Sequence, residues 1–160
     1  MNSTQVSRVL DDEHRNNIAL LGKVEHAFTR ATRIDPELSG LIGQLVRSLE
    51  HDINRHFRFE EESLFPKMAE SGDDEMAGLL VEEHDSIREV AAELLPLARS
   101  AIAGTIDAAG WSQLRLNALE LVERQVAHIQ KETMALLPLL DDVLDDDTDR
   151  ELAFAYSSDE

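Results

Sequence analysis

The chain has 160 residues, enough for one domain, and carries 33 acidic against 15 basic side chains, a net charge of -18. A surface this acidic repels phosphate backbones and anionic lipid heads, so neither nucleic acid nor membrane is expected as a partner. There is no cysteine, which excludes disulfides, thiolate metal sites and cysteine nucleophiles.

Apolar residues make up 42% of the chain and aromatics only 4%; Leu, Ala and Val dominate, which favours helices over sheet. The first residues lack the basic start and apolar run of a signal peptide. No apolar stretch reaches membrane-spanning length, and a cytoplasmic location is expected.

Gly and Pro divide the sequence into four predicted helical segments. The first runs over about 4–33, before a break at Asp35-Pro36 with Asp35 as N-cap. The second covers about 37–65 and stops at Pro66. A turn at 70–74 leads to the third, about 75–103, with a kink expected at Pro96. Residues 104–110 connect to the fourth, about 111–137, which meets Pro138. Beyond Leu140 the chain turns strongly acidic and either carries a short helix through Leu152 to Tyr156 or frays; it lacks the glycine and spacing of a calcium loop. The connections are short, so neighbouring helices should be antiparallel. The expectation is all-α: an up-down-up-down four-helix bundle over about 4–140 in a single domain 1–160, with a short acidic extension over 141–160.

Polar residues interrupt the apolar stripes of this pattern. In the second segment Leu38, Ile42, Leu45, Leu49, Asp52, His56 and Ser63 share a predicted face, and in the fourth Leu114, Ala118, Leu121, Gln125, His128, Glu132 and Ala135 do. The interruptions repeat. His56-F-R-F-Glu60 recurs as His128-I-Q-K-Glu132, and at matching offsets each is followed by two large apolar residues and a proline. Glu13-His14 in the first segment likewise recurs as Glu83-His84 in the third. The chain reads as two similar helical hairpins related by a pseudo-twofold axis. Each gives one His from its first helix and a His-x-x-x-Glu pair from its second. Positions four apart point the same way, so all six side chains would converge inside the bundle.

Buried carboxylates beside buried imidazoles are costly unless paired or metal-bound. His14, His56, Glu60, His84, His128 and Glu132 are therefore the candidate metal ligands. Four imidazoles and two carboxylates without thiolate suit iron, manganese or zinc. Two metals, each with two His and joined by both Glu carboxylates, fit this donor count best. Asp52, one turn from His56, is a candidate acceptor for a ligand imidazole or else an acid at the bundle edge; Glu61 is a spare carboxylate beside Glu60. His26 and His51 fall off the converging faces and are expected at the surface. Phe57, Phe59, Leu80 and Ile129 are core residues, some of which could wall a ligand pocket.

At these residues the chain resembles the hemerythrin-like family, the HHE cation-binding domain. The resemblance spans about Leu10 to Pro138. It rests on Glu13-His14, HFRFEEESLFP from His56, EEHD around His84 and HIQKETMALLP from His128. It implies a four-helix bundle with a non-haem di-iron centre, oxo- or hydroxo-bridged, in which Glu60 and Glu132 bridge. Oxygen-carrying members place a second histidine one turn after the first on the third helix, where this chain has Arg88. Their last carboxylate lies five residues past its histidine, whereas Glu132 lies four past His128. The pattern of four His and two Glu looks more like the di-iron proteins of iron-sulfur repair under nitrosative stress. The iron-sensing domain of a ubiquitin-ligase subunit has a similar layout. The resemblance implies a small ligand (dioxygen, nitric oxide or peroxide) and a role in stress response or iron handling. It leaves open whether the protein binds, turns over or senses, and through which protein partner.

Overall fold

Capping residues set where the helices begin. In the computed structural model, which describes residues 3–158, Thr4 caps α1 (Gln5–Arg30), its hydroxyl accepting the Ser7 N–H at 3.1 Å. Asp35 caps α2 (Pro36–Arg47), accepting the Leu38 N–H at 2.8 Å, with Pro36 in the first turn where its missing N–H leaves no bond unmade. The helical backbone then continues without a break. A π-helical turn, Ser48–Asp52, leads into α3 (Ile53–Phe59), and a second, Glu60–Leu64, into α4 (Phe65–Glu70). After a turn come α5 (Asp74–Ala103), which ends at Gly104 with φ 74, and α6 (Ala108–Val143), capped by Asp107. Finally α7 (Asp146–Ser158) forms in the acidic extension, in place of fraying. The described residues form helices joined by short connections, with no strand.

The prolines do not end helices where the sequence suggested. The second helical stretch runs past Pro66 to Glu70, and α6 runs past Pro138 to Val143. Pro66, Pro96 and Pro138 all lie on exposed sides. There the carbonyl four residues earlier can bond to water in place of the missing N–H.

The two π turns also correct the expected stripe. A π turn takes one more residue than an α turn, so each shifts the buried face by one position. Past the first, the stripe continues from Leu49 to Ile53, and Asp52 is exposed. Past the second it continues from Glu60 to Leu64, while Ser63 is only half-buried. In α6 the stripe likewise settles on Leu136 in place of Ala135, which is half-buried.

Helix α1 packs along α6, α6 along α5, and α2 bridges α1 and α5, while α7 lies on α1. The apolar core falls into two clusters. One gathers Phe28, Ile42, Leu45, Phe57, Leu94 and Leu121 with their neighbours. The other gathers Leu10, Leu64, Met68, Leu80, Leu136 and Tyr156. Along every long helix a polar residue separates the two: His14 between Leu10 and Leu21, Glu60 between Phe57 and Leu64, His84 between Leu80 and Ile87, Glu132 between Ile129 and Leu136.

This register predicts unequal costs for two leucines on one helix. Leu121→Ala, at a fully buried position, should lose about 2–5 kcal/mol in chemical denaturation. Leu116→Ala, 62% exposed, should stay within about 0.5 kcal/mol of the parent.

Candidate metal centre

The polar layer between the two apolar clusters is built by four helical stretches. α1 supplies His14, α3 His56, the π turn after it Glu60, α5 His84, and α6 both His128 and Glu132. All six are almost fully buried. The second π turn begins at Glu60, so the irregular backbone falls at the site itself, as π turns often do.

Both carboxylates are shared. Glu60 turns Oε2 to His56 Nε2 and Oε1 to His84 Nε2, each at 3.2 Å. Glu132 Oε1 lies 3.2 Å from His14 Nε2 and 3.3 Å from His128 Nε2. Its Oε2 lies 3.7 Å from His84 Nε2. The donors fall into two groups, His14, His56, Glu60 and Glu132, and Glu60, His84, His128 and Glu132. In each group one atom per residue lies within 4.8 Å of the others, and both groups contain the two glutamates. Both oxygens of Glu60, Oε2 of Glu132 and Nε2 of His84 and of His128 are buried without a hydrogen-bond partner. Buried polar atoms are rarely left so, and cations coordinated at these atoms would satisfy them. The donor set and the orphaned atoms fit metal ions.

The outward nitrogens of the four imidazoles are held too. Nδ1 of His56 meets Glu13 Oε2 at 2.8 Å, Nδ1 of His128 meets Glu83 Oε1 at 2.8 Å, and Nδ1 of His84 meets Glu61 Oε2 at 2.6 Å. Nδ1 of His14 meets the Thr133 hydroxyl at 3.1 Å. A carboxylate on Nδ1 fixes the tautomer that presents Nε2 and makes that nitrogen a better donor to a metal. Each carboxylate is itself neutralised: Glu13 by Arg55 at 3.8 Å, Glu61 by Arg88 at 2.9 Å, and Glu83 by Lys131. The Phe57 ring stacks on His84 with centroids 3.7 Å apart and fixes its plane.

Of the two carboxylates expected to support the imidazoles, Glu61 does so and Asp52 does not. Asp52 is turned to solvent by the π turn it ends, and Glu13 on α1 takes the place assigned to it. His26 and His51 are exposed and lie outside both donor groups. Sequence reasoning gave no role to Glu13, Glu83, Thr133 or Tyr156. Glu13 and Glu83 did carry a signal, since each precedes a repeated histidine. Thr133 also follows Glu132 as Glu61 follows Glu60, at the matching place in the repeat. Nothing local marked Tyr156.

Proximity of charge sets the protonation. Burial pushes His56, His84 and His128 down, but the facing glutamates outweigh it: His56 ends well above its ordinary value, His84 is pushed up to about 9, and His128 is raised. Burial and the charge of Glu132 raise Glu60. Burial pushes Glu132 up as well, yet the facing Glu60 carboxyl and the His128, His14 and His56 imidazoles around it hold it well below the carboxylate range. Glu13 and Glu83, though burial raises them, are lowered by their imidazole and hydroxyl or ammonium partners. Without metal, protons on His56, His84 and His128 do the work of cations, so metal must displace them.

The metal-free chain should therefore lose stability as pH rises. Folded, it keeps a proton on His84 up to about 9, whereas the unfolded chain releases it near 6.5. That stabilisation is full below 6.5 and is lost as pH climbs through about 9. Thermal melts of chelator-treated protein should show a midpoint that falls across this window; a flat or rising midpoint contradicts a protonated site.

A search of curated proteins finds no match. The family model for the Hemerythrin HHE cation binding domain matches residues 5–140, a span that includes all six buried donors. The chain belongs to the hemerythrin HHE cation-binding family.

Proposed function

We propose that this protein holds two iron ions, one in each donor group, and binds or reacts with a small ligand such as dioxygen, nitric oxide or peroxide in stress response or iron handling. The observation that carries this reading is the sharing of Glu60 and Glu132 between two groups that each add two imidazoles. A single ion would need no second pair of histidines. Nitrogen and oxygen donors without thiolate suit iron, with manganese or zinc as competitors. When bound, a redox-active pair would supply the electrons and the open positions for such a ligand.

The chain's own residues would set the rest. Glu60 and Glu132 would span the two ions and fix their spacing. Glu13, Glu61, Glu83 and Thr133 would hold the Nδ1 protons, so that every Nε2 faces inward. Leu80, Ile129 and Phe57 would keep bulk water from the layer. Glu83 lines a surface cleft of about 380 Å³ with Arg124 and His128, a path by which displaced protons could reach solvent. We read the helices as an up-down-up-down bundle of two related hairpins, which supports a symmetric pair of sites. The acidic surface supports a cytoplasmic setting, and among the described residues no helix is long and apolar enough to cross a membrane. A sensing role without turnover is the second reading, favoured by the bond from Tyr156 on α7 to Glu13, which holds His56.

Metal analysis and absorption spectroscopy on iron-loaded protein test the site. About two irons per chain are expected. Glu132→Ala should retain little of either, because both ions share it, while His51→Ala at the surface should retain both. Folded protein that refuses iron would overturn the reading. Spectral change on adding nitric oxide, dioxygen or peroxide would identify the ligand class, and peroxide consumption over many cycles would mark an enzyme.

A further inference from the structure

Helix α7 lies outside the residues matched by the family model, yet it reaches the outer side of the metal-binding layer. Its Tyr156 is 3% exposed, while Phe154 on the same helix is 75% exposed. The Tyr156 hydroxyl donates to Glu13 Oε2, the same oxygen that meets His56 Nδ1 at 2.8 Å. Arg55, next to His56, closes the arrangement. Its guanidinium lies 4.1 Å over the Tyr156 ring, and its Nη2 donates to the Tyr156 carbonyl at 2.9 Å. The Phe59 ring also packs on Tyr156, with centroids 4.5 Å apart. A second anchor holds α7 at the start of α1, where Asp149 accepts the Gln5 and Val6 N–H groups at 2.9 and 3.0 Å. Glu83 and Glu61, by contrast, are met by Lys131 and Arg88, which stand on α6 and α5.

We propose that α7 is a latch on the metal centre: Tyr156 is a positioning residue that, through Glu13, ties docking of α7 to metal at His56. The proposal rests on the di-metal reading above and adds to it a segment that responds to occupancy. A metal held jointly by His56, His14, Glu60 and Glu132 would take the place of the His56 proton and fix the ring more firmly than a proton can, so that its Nδ1–H holds Glu13 in one orientation. Tyr156 then has a fixed acceptor. Linkage makes the effect mutual: whatever metal adds to the docking of α7, docking adds to metal affinity. The helix is suited to respond. Tyr156 is its one buried apolar side chain, with Leu152 and Ala153 partly covered, so apart from the Asp149 anchor and the Arg55 bond little apolar contact holds it down and a modest coupling shifts its population.

Hydrogen exchange on the full chain, metal-free and loaded anaerobically with iron(II), tests the latch. Iron should slow exchange along α7 as well as in the bundle helices. Tyr156→Phe keeps the ring packed on Arg55 and Phe59 and removes only the hydroxyl. It should lose the iron-induced protection of α7 while the bundle helices keep theirs, and bind iron about 3- to 10-fold more weakly, since loss of a partner to a ligand imidazole typically costs 10- to 100-fold and Tyr156 acts one bond further out. Phe154→Ala, on the exposed side, should change neither. Iron that protects the bundle but not α7 would overturn the latch and leave the metal site standing. So would Tyr156→Phe with parental affinity and protection, or Phe154→Ala with the same losses as Tyr156→Phe. A folded chain that takes up no iron would overturn latch and metal site together.

Discussion

Two glutamates stand side by side in the middle of this protein with almost no exposure, and the rest of the structure answers the cost of putting them there. Isolated carboxylates do not survive burial without partners. Here Glu60 and Glu132 face four imidazoles, one from each of the four helical stretches, so no stretch can be displaced without unpairing a buried charge. The polar layer fixes which residues of the four stretches lie level with one another. The apolar clusters on either side then seal it.

The support extends outward in ordered shells. Three of the four imidazoles rest on carboxylates, and each of these rests on a cation. Alternating sign keeps the local charge near balance in a chain whose overall charge is -18. His14 departs from this pattern, since it rests on the neutral Thr133 hydroxyl, and Glu13 departs in accepting from the Tyr156 hydroxyl besides its imidazole and its cation. Both departures concern the donor group of His14 and His56, which makes the two groups chemically unequal although their inner donors match.

Local irregularity serves the same end. The π turns at Ser48–Asp52 and Glu60–Leu64 bracket His56 and rotate the second helical stretch by one position at each. Without them the stripe of an ideal helix would put Asp52 and Ser63 inside. With them Ile53 and Leu64 pack in the core and Glu60 meets the histidines. Pro66 and Pro138 sit on the exposed side of their helices, where the carbonyl left without a donor can bond to water.

By itself the sequence determined the helical class and the six residues that converge. Both are local or repeated: His-x-x-x-Glu places two donors one turn apart on any helix, and its return at His128 with the same apolar-apolar-Pro ending singled the motif out of an acidic chain. Glu61 could be picked for the same reason, lying beside a donor on its own helix. The tertiary structure decided what no spacing encodes. Glu13 meets His56 across 43 positions and Tyr156 meets Glu13 across 143, because the bundle brings α1 level with His56 and α7 lies against α1. It also decided Asp52 and the helix ends, since a π turn depends on packing the stretch between its neighbours and has no signature in a stripe read at 3.6 residues per turn.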